Sequence, residues 1–128
     1  MILVDTSVWV DHFRSRNPAL SSLLSDGQVF GHPFVIGELA CGNIRSRAVT
    51  LAELSHLPEA ITAHHGEVMR LIEQRRLWGV GIGWVDAHLI ASARLLECSL
   101  WTLDLALAEA ATKAGVRLFP GQRRSWLP

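Results

Sequence analysis

Along this chain the spacing of apolar residues switches between short continuous runs and helical periods. Ile2 to Asp5 is a brief apolar run rich in β formers, after which Ser7 to Arg14 and Pro18 to Ser25 suit helices and Asp26-Gly27 suits a turn. Gln28 to Gly31 reads as a second strand. Pro33 to Cys41 opens with proline at a favoured first helical position and stops at Gly42. Thr50-Leu51-Ala52-Glu53 has capping-box spacing, which predicts a short helix starting there, and Glu59 after Pro58 suits the first turn of another. His64 to Leu77 has the pattern of a half-exposed helix, and Trp84 to Glu97 that of a nearly continuous apolar one. Ser99 to Asp104 then reads as a strand, Leu105 to Ala114 as a helix ended by Gly115, and Val116 to Phe119 as a last strand. Strands alternating with helices predict an α/β fold: right-handed crossovers and a parallel sheet covered on both faces.

No repeat or linker divides the 128 residues, so the expectation is one domain over 1–128, with a tail from about residue 120 where Pro120-Gly121 breaks the pattern. With 49% hydrophobic and 19% charged residues the chain can build a core without a disulfide or a structural metal. Cys41 and Cys98 stand far apart and read as buried free thiols of a reducing compartment. The apolar stretch from Leu77 to Val85 is about half of what a bilayer crossing needs, and an acid interrupts the first apolar run, unlike a signal peptide. A cytoplasmic protein without a membrane anchor is expected.

Charge narrows the chemistry. Twelve Lys plus Arg balance twelve Asp plus Glu, which argues against binding a polyanion by bulk electrostatics. Lys113 is the single lysine and no Gly-Lys-Ser/Thr occurs, so phosphate-loop NTPases and lysine Schiff-base enzymes are excluded.

Four acids lack polar company. Asp5 follows Ile2-Leu3-Val4, Glu38 is the one formal charge between Asp26 and Arg45, Asp86 the one between Arg76 and Arg94, and Asp104 lies between Leu103 and Leu105. Each interrupts a run that reads as buried, where a lone carboxylate is costly. Singly, Asp5 and Asp86 could be helix N-terminal residues, and Glu53 and Glu59 have the structural roles above. Asp5 and Asp104 also fall at carboxyl ends of expected strands, where α/β folds collect ligands. In strand periodicity Thr102 and Asp104 share a side, presenting a hydroxyl with a carboxylate. Carboxylates converging to about 4 Å repel by roughly 4 kcal/mol at an effective dielectric near 20, so something must offset them. An all-oxygen set matches Mg²⁺ or Mn²⁺, and such ions activate water and stabilise the leaving oxygen in phosphodiester hydrolysis.

Met1-Ile2-Leu3-Val4-Asp5-Thr6-Ser7-Val8-Trp9, Phe34-Val35-Ile36-Gly37-Glu38-Leu39-Ala40, Gly83-Trp84-Val85-Asp86-Ala87-His88-Leu89-Ile90-Ala91-Ser92-Ala93 and Leu100-Trp101-Thr102-Leu103-Asp104 closely resemble, in order, the acidic motifs of PIN-domain ribonucleases of the VapC toxin type. The resemblance covers nearly the whole chain. It implies a three-layer α/β/α sandwich with a central, mainly parallel sheet, a Mg²⁺ or Mn²⁺ cofactor, endonucleolytic cleavage of RNA, a co-encoded antitoxin as partner and a homodimer. By position, Asp5 and Asp86 would be the main metal ligands, Glu38 and Asp104 would complete the acidic set, and Ser7 and Thr102 would orient water or carboxylates. One departure is that Asp104 is followed by Leu105-Ala106-Leu107, where related sequences often carry a basic residue. Arg45 and Arg47 are the candidate replacements for RNA binding, with Arg75, Arg76, Arg123 and Arg124 behind them. The rival reading is a catalytically inactive PIN-like module that holds RNA or a peptide in the same groove. His88, on the Asp86 helix, is a weaker neighbour of the site, and Trp9, Trp84 and Trp101 lie in apolar runs that suit a core.

Overall fold

The computed structural model describes residues 1–120. The tail from Gly121 onward, with Arg123 and Arg124, lies outside the described residues. In chain order the elements are β1 (Ile2–Val4), α1 (Thr6–Arg14), α2 (Pro18–Ser25), β2 (Val29–Phe30), α3 (Pro33–Cys41), α4 (Arg47–Leu54), α5 (His65–Arg75), α6 (Trp84–Leu96), β3 (Ser99–Trp101) and α7 (Leu105–Lys113).

The strands pair in parallel in the order β2-β1-β3, with Ile2 opposite Val29 and Ser99, and Leu3 opposite Phe30 and Leu100. Single parallel bridges extend the sheet on both sides, Gly31 to Glu59 beside β2 and Leu100 to Leu118 beside β3. Travel along the sheet runs outward from β1 through β2 to Glu59, then back past β1 to β3 and Leu118. Right-handed crossovers in opposite directions set their helices on opposite faces, α1 to α4 on one and α5 to α7 on the other. Packing agrees, since α1 meets α3, α3 meets α4, and α5 meets α6. Leu3, Val8, Leu20, Leu89, Ile90, Leu100 and Leu107 are wholly buried between these layers.

Helix starts follow local chemistry. Asn17 Oδ1 accepts from the Leu20 N–H at 3.1 Å ahead of Pro18, and Glu67 Oε1 accepts from the His64 N–H at 2.8 Å. Gly27 takes the left-handed φ of 67° that the turn before β2 requires.

Several expectations need correction. Thr50 does not cap α4: the helix starts earlier, at Arg47 after Ser46, and Thr50 Oγ1 donates to the Arg45 carbonyl from inside it. Glu59 is not in a helical turn but in extended backbone, where Gly31 N–H donates to the Pro58 carbonyl and Ala60 N–H to the Gly31 carbonyl. Sheet pairing outweighs the turn signal of Pro58. The strand expected to reach Asp104 ends at Trp101, and the one expected over Val116 to Phe119 is a single bridge. Cys98 is buried, but Cys41, at the end of α3, is exposed. Trp84 is also 39% exposed, not a core residue. Among the described residues no helix is long and apolar enough to cross a membrane.

Candidate active site

β1 and β3 lie side by side with their carboxyl ends together, at the point where the chain's travel across the sheet reverses. In parallel α/β sheets this crevice is the ligand position. Asp5 follows β1 directly and is 5% exposed. Its Oδ2 accepts from Ser7 Oγ at 2.7 Å, from Thr102 Oγ1 at 2.7 Å and, weakly, from the Ser7 N–H at 3.4 Å. Each hydroxyl is itself anchored. Ser7 Oγ accepts from the Leu103 N–H and Thr102 Oγ1 from the Asp104 N–H, both at 3.0 Å. The loop after β3 is thus tied to the carboxylate after β1 through two O–H relays, and charge-assisted bonds of this kind are the stronger ones. Thr102 and Asp104 meet by this turn and not by strand alternation, because β3 has already ended.

The other acids are held more lightly. Glu38, exposed on α3, accepts from Thr6 Oγ1 at 2.6 Å through Oε1. Asp86, half-buried in the first turn of α6, accepts from the Gly83 N–H at 3.0 Å through Oδ2. Asp104 is exposed and caps α7, its Oδ1 accepting from the Leu107 N–H at 3.2 Å. Isolation in sequence therefore overstated burial: Asp5 alone of the four is buried.

Burial raises the Asp86 pKa, the Gly83 N–H opposes this, and the charges of Asp5, Asp104 and Glu38 push it up further. The tertiary structure thus brings Asp5, Asp104 and Glu38 within electrostatic reach of Asp86. Each commits one oxygen to the protein, and the second accepts no hydrogen bond from a described residue. The N-termini of α1, α6 and α7 meet the crevice beside Asp5, Asp86 and Asp104, and their partial positive charge favours anions there. The donor chemistry fits a hard divalent cation: oxygen only, one unengaged oxygen per side chain, and mutual repulsion to relieve. Among the described residues no three His, Cys, Asp or Glu side chains already form a set that could hold a metal ion.

The basic candidates are less committed to this crevice. Arg47 donates from Nη2 to the Ala40 carbonyl at 2.8 Å, closing the end of α3, and Arg45 is exposed. Arg76 sits in left-handed backbone where α5 ends, and its carbonyl accepts from Lys113 Nζ. Sequence reasoning missed Thr6, whose signal was its place inside Asp5-Thr6-Ser7. It also missed His32, which caps α3.

His32 is fully buried. Its Nδ1 accepts from the Phe34 N–H at 3.0 Å, and its Nε2 stands 3.0 Å from Ser92 Oγ on α6. Ser92 Oγ in turn donates to the Ile61 carbonyl at 2.6 Å. Burial, then the charge of His88, lowers the His32 pKa to about 4. His88, two residues past Asp86, is buried with Nδ1 lacking a hydrogen-bond partner, its ring edge-on to Phe34 at 4.7 Å and to Trp84 at 4.8 Å.

The family model for the PIN domain matches residues 2–113, a span that contains all four acids. The chain is a PIN domain. Ribonuclease VapC32 of Mycobacterium tuberculosis is 47% identical to it over 119 residues, 92% of this chain and 96% of the relative, which places this PIN domain with the VapC type. Among solved structures it is similar to PAE2754 from Pyrobaculum aerophilum, with TM-score 0.63 and 18% identity over 85% of this chain and 83% of that one. FitAcB from Neisseria gonorrhoeae superposes with TM-score 0.62 and 20% identity over 93% of this chain and 96% of that one. At these identities the structural likeness speaks for the PIN fold, and it agrees with the α/β/α layering built above.

Proposed function

We propose that this PIN domain is the toxin of a toxin–antitoxin pair, an endoribonuclease that hydrolyses RNA phosphodiester bonds with Mg²⁺ or Mn²⁺. The observation carrying the reading is the group formed by Asp86 and the three carboxylates around it, each with one oxygen left unengaged by the described residues. Asp5 and Asp86 would hold the cation, with Glu38 and Asp104 completing its surroundings. When bound, the cation supplies Lewis-acid activation of water and neutralises charge on the phosphate. The chain's own residues do the rest: Ser7 and Thr102 fix the Asp5 carboxylate, Thr6 fixes Glu38, and the starts of α1, α6 and α7 favour a phosphate beside them. Arg45, exposed at the approach to α4, is the better of the two phosphate contacts, since Arg47 already binds the Ala40 carbonyl.

The relative's name, Ribonuclease VapC32, supports the activity. The FitAcB neighbour, together with the solved structure titled as FitAB bound to an IR36 DNA fragment, supports assembly with a protein partner. A cognate antitoxin, a homodimer and a cytoplasmic site of action complete the proposal.

The test compares wild type with Asp86→Asn on total RNA, with Mn²⁺, with Mg²⁺ and with chelator. Discrete cuts that need metal and are made by the wild type alone are the expected result. Identical traces from the two proteins, with folding confirmed, would overturn the reading. Retained RNA binding without cuts would favour the inactive binding module.

A further inference from the structure

His32 and Ser92 are both completely buried, and neither belongs to the acidic crevice. Their hydrogen bonds fix the direction of every proton. Nδ1 of His32 must be unprotonated to accept the Phe34 N–H, so in the neutral ring the proton is on Nε2. Ser92 Oγ donates to the Ile61 carbonyl, so it meets His32 as an acceptor. The chain therefore runs from His32 Nε2–H to Ser92 O–H to the Ile61 carbonyl, fully satisfied.

The placement of this relay matters. His32 is the N-cap of α3, six residues before Glu38, and Ser92 is on α6, six residues after Asp86. At about 1.5 Å per residue each acid is about 9 Å along its helix from the joint. Glu38 has one hydrogen bond, from Thr6 on α1, and Asp86 has one, from Gly83 just ahead of α6, and neither bond links α3 to α6. The buried His32–Ser92 hydrogen bond joins the start of α3 to α6, beside the edge-on ring contact of Phe34 with His88, and a bond buried in this way is stronger than one in water.

We propose that His32 is a positioning residue that clamps α3 to α6 through Ser92, and thereby holds Glu38 and Asp86 at the spacing the acidic site requires. The proposal rests on the reading of these acids as a cation site. Two substitutions separate the clamp from the cap. His32→Asn keeps an acceptor where Nδ1 stands but cannot reach Ser92, whereas His32→Gln keeps a donor with the reach of Nε2 and loses the cap.

The readout is Mn²⁺ affinity without RNA, followed by paramagnetic resonance of the free ion, with RNA cleavage measured alongside. His32→Asn and Ser92→Ala each weaken Mn²⁺ binding by about tenfold, the size typical of lost outer contacts at metal sites. The double variant loses no more than either single one, because both break the same bond. His32→Gln stays within about twofold of wild type in Mn²⁺ affinity while melting at a lower temperature. Wild-type affinity in His32→Asn and Ser92→Ala, or losses that multiply in the double variant, would overturn the clamp. Should the wild type itself take up no Mn²⁺, the catalytic reading falls, and the clamp is judged on backbone amide resonances. Ser92→Ala must then shift those of Glu38 and Asp86, and unmoved resonances would overturn it.

Discussion

The strand-borne and helix-borne halves of the acidic crevice are held in place by different physics. Asp5 and Thr102 sit at the ends of adjacent strands whose register is set by the β1–β3 ladder, and two hydroxyl relays lock the carboxylate within that frame. Glu38 and Asp86 project from helices, each with one hydrogen bond, so their spacing depends on how α3 and α6 are held relative to the sheet and to each other. A ladder tolerates little adjustment, whereas packed helices can slide by fractions of a turn. Damage to the first half should thus be local and steep, and damage to the second graded and transmissible from a distance.

The largest expected effect comes from the buried carboxylate. Asp5→Asn should lower RNA cleavage by about 10²- to 10⁴-fold, and Glu38→Gln by clearly less. Equal losses in a time course of fragment formation would erase the distinction between the halves. Next are the relays: Ser7→Ala and Thr102→Ala should each cost about 10- to 100-fold in rate or metal affinity, with the fold intact by circular dichroism. Thr6→Val, which releases the exposed Glu38, should cost only a few-fold in single-turnover rate.

Stability sharpens the same contrast. The folded state raises the Asp86 pKa through burial and then through its acidic neighbours, so its charged form opposes folding once pH exceeds the ordinary carboxylate range. Asp86→Asn should therefore unfold at higher urea than wild type at pH 7, with the gap closing as pH falls below that range. His32 acts in the opposite direction. Its pKa is lowered from 6.5 to about 4, so the unfolded chain takes up the proton first and stability declines as pH drops through that window. Above the window the contribution is complete. Urea midpoints between pH 7 and pH 4 should slope less in His32→Gln than in wild type, and parallel slopes would remove His32 from the account.

Much of the architecture was legible without coordinates. Apolar runs and caps located most elements closely, because Pro18, Pro33, Gly42 and Gly115 act on their own neighbours. The errors came where a distant partner decided. Glu59 looked helical after Pro58 but pairs with Gly31, 28 positions earlier in the chain, and Thr50 matched a capping box inside a helix that had already begun. At the site, Asp5, Ser7 and Thr102 were named from their motifs and are joined by hydrogen bonds. Exposure was misjudged for Glu38 and Asp104, since isolation among apolar residues records local composition and not where the helix surface faces.

Composition and motif alone established four unaccompanied acids in an α/β chain, three of them at strand ends or helix starts and Glu38 within a helix, because charge, periodicity and capping act within a few residues. The tertiary structure decided which oxygen of each acid is engaged, that Asp86 feels the other three, and that a buried histidine 54 positions before Asp86 in the chain joins the helices carrying two of them. Thr102 on Asp5, Thr6 on Glu38, the charges around Asp86 and the His32–Ser92 bond all join residues far apart in sequence, and they exist only once the sheet has brought its strand ends together.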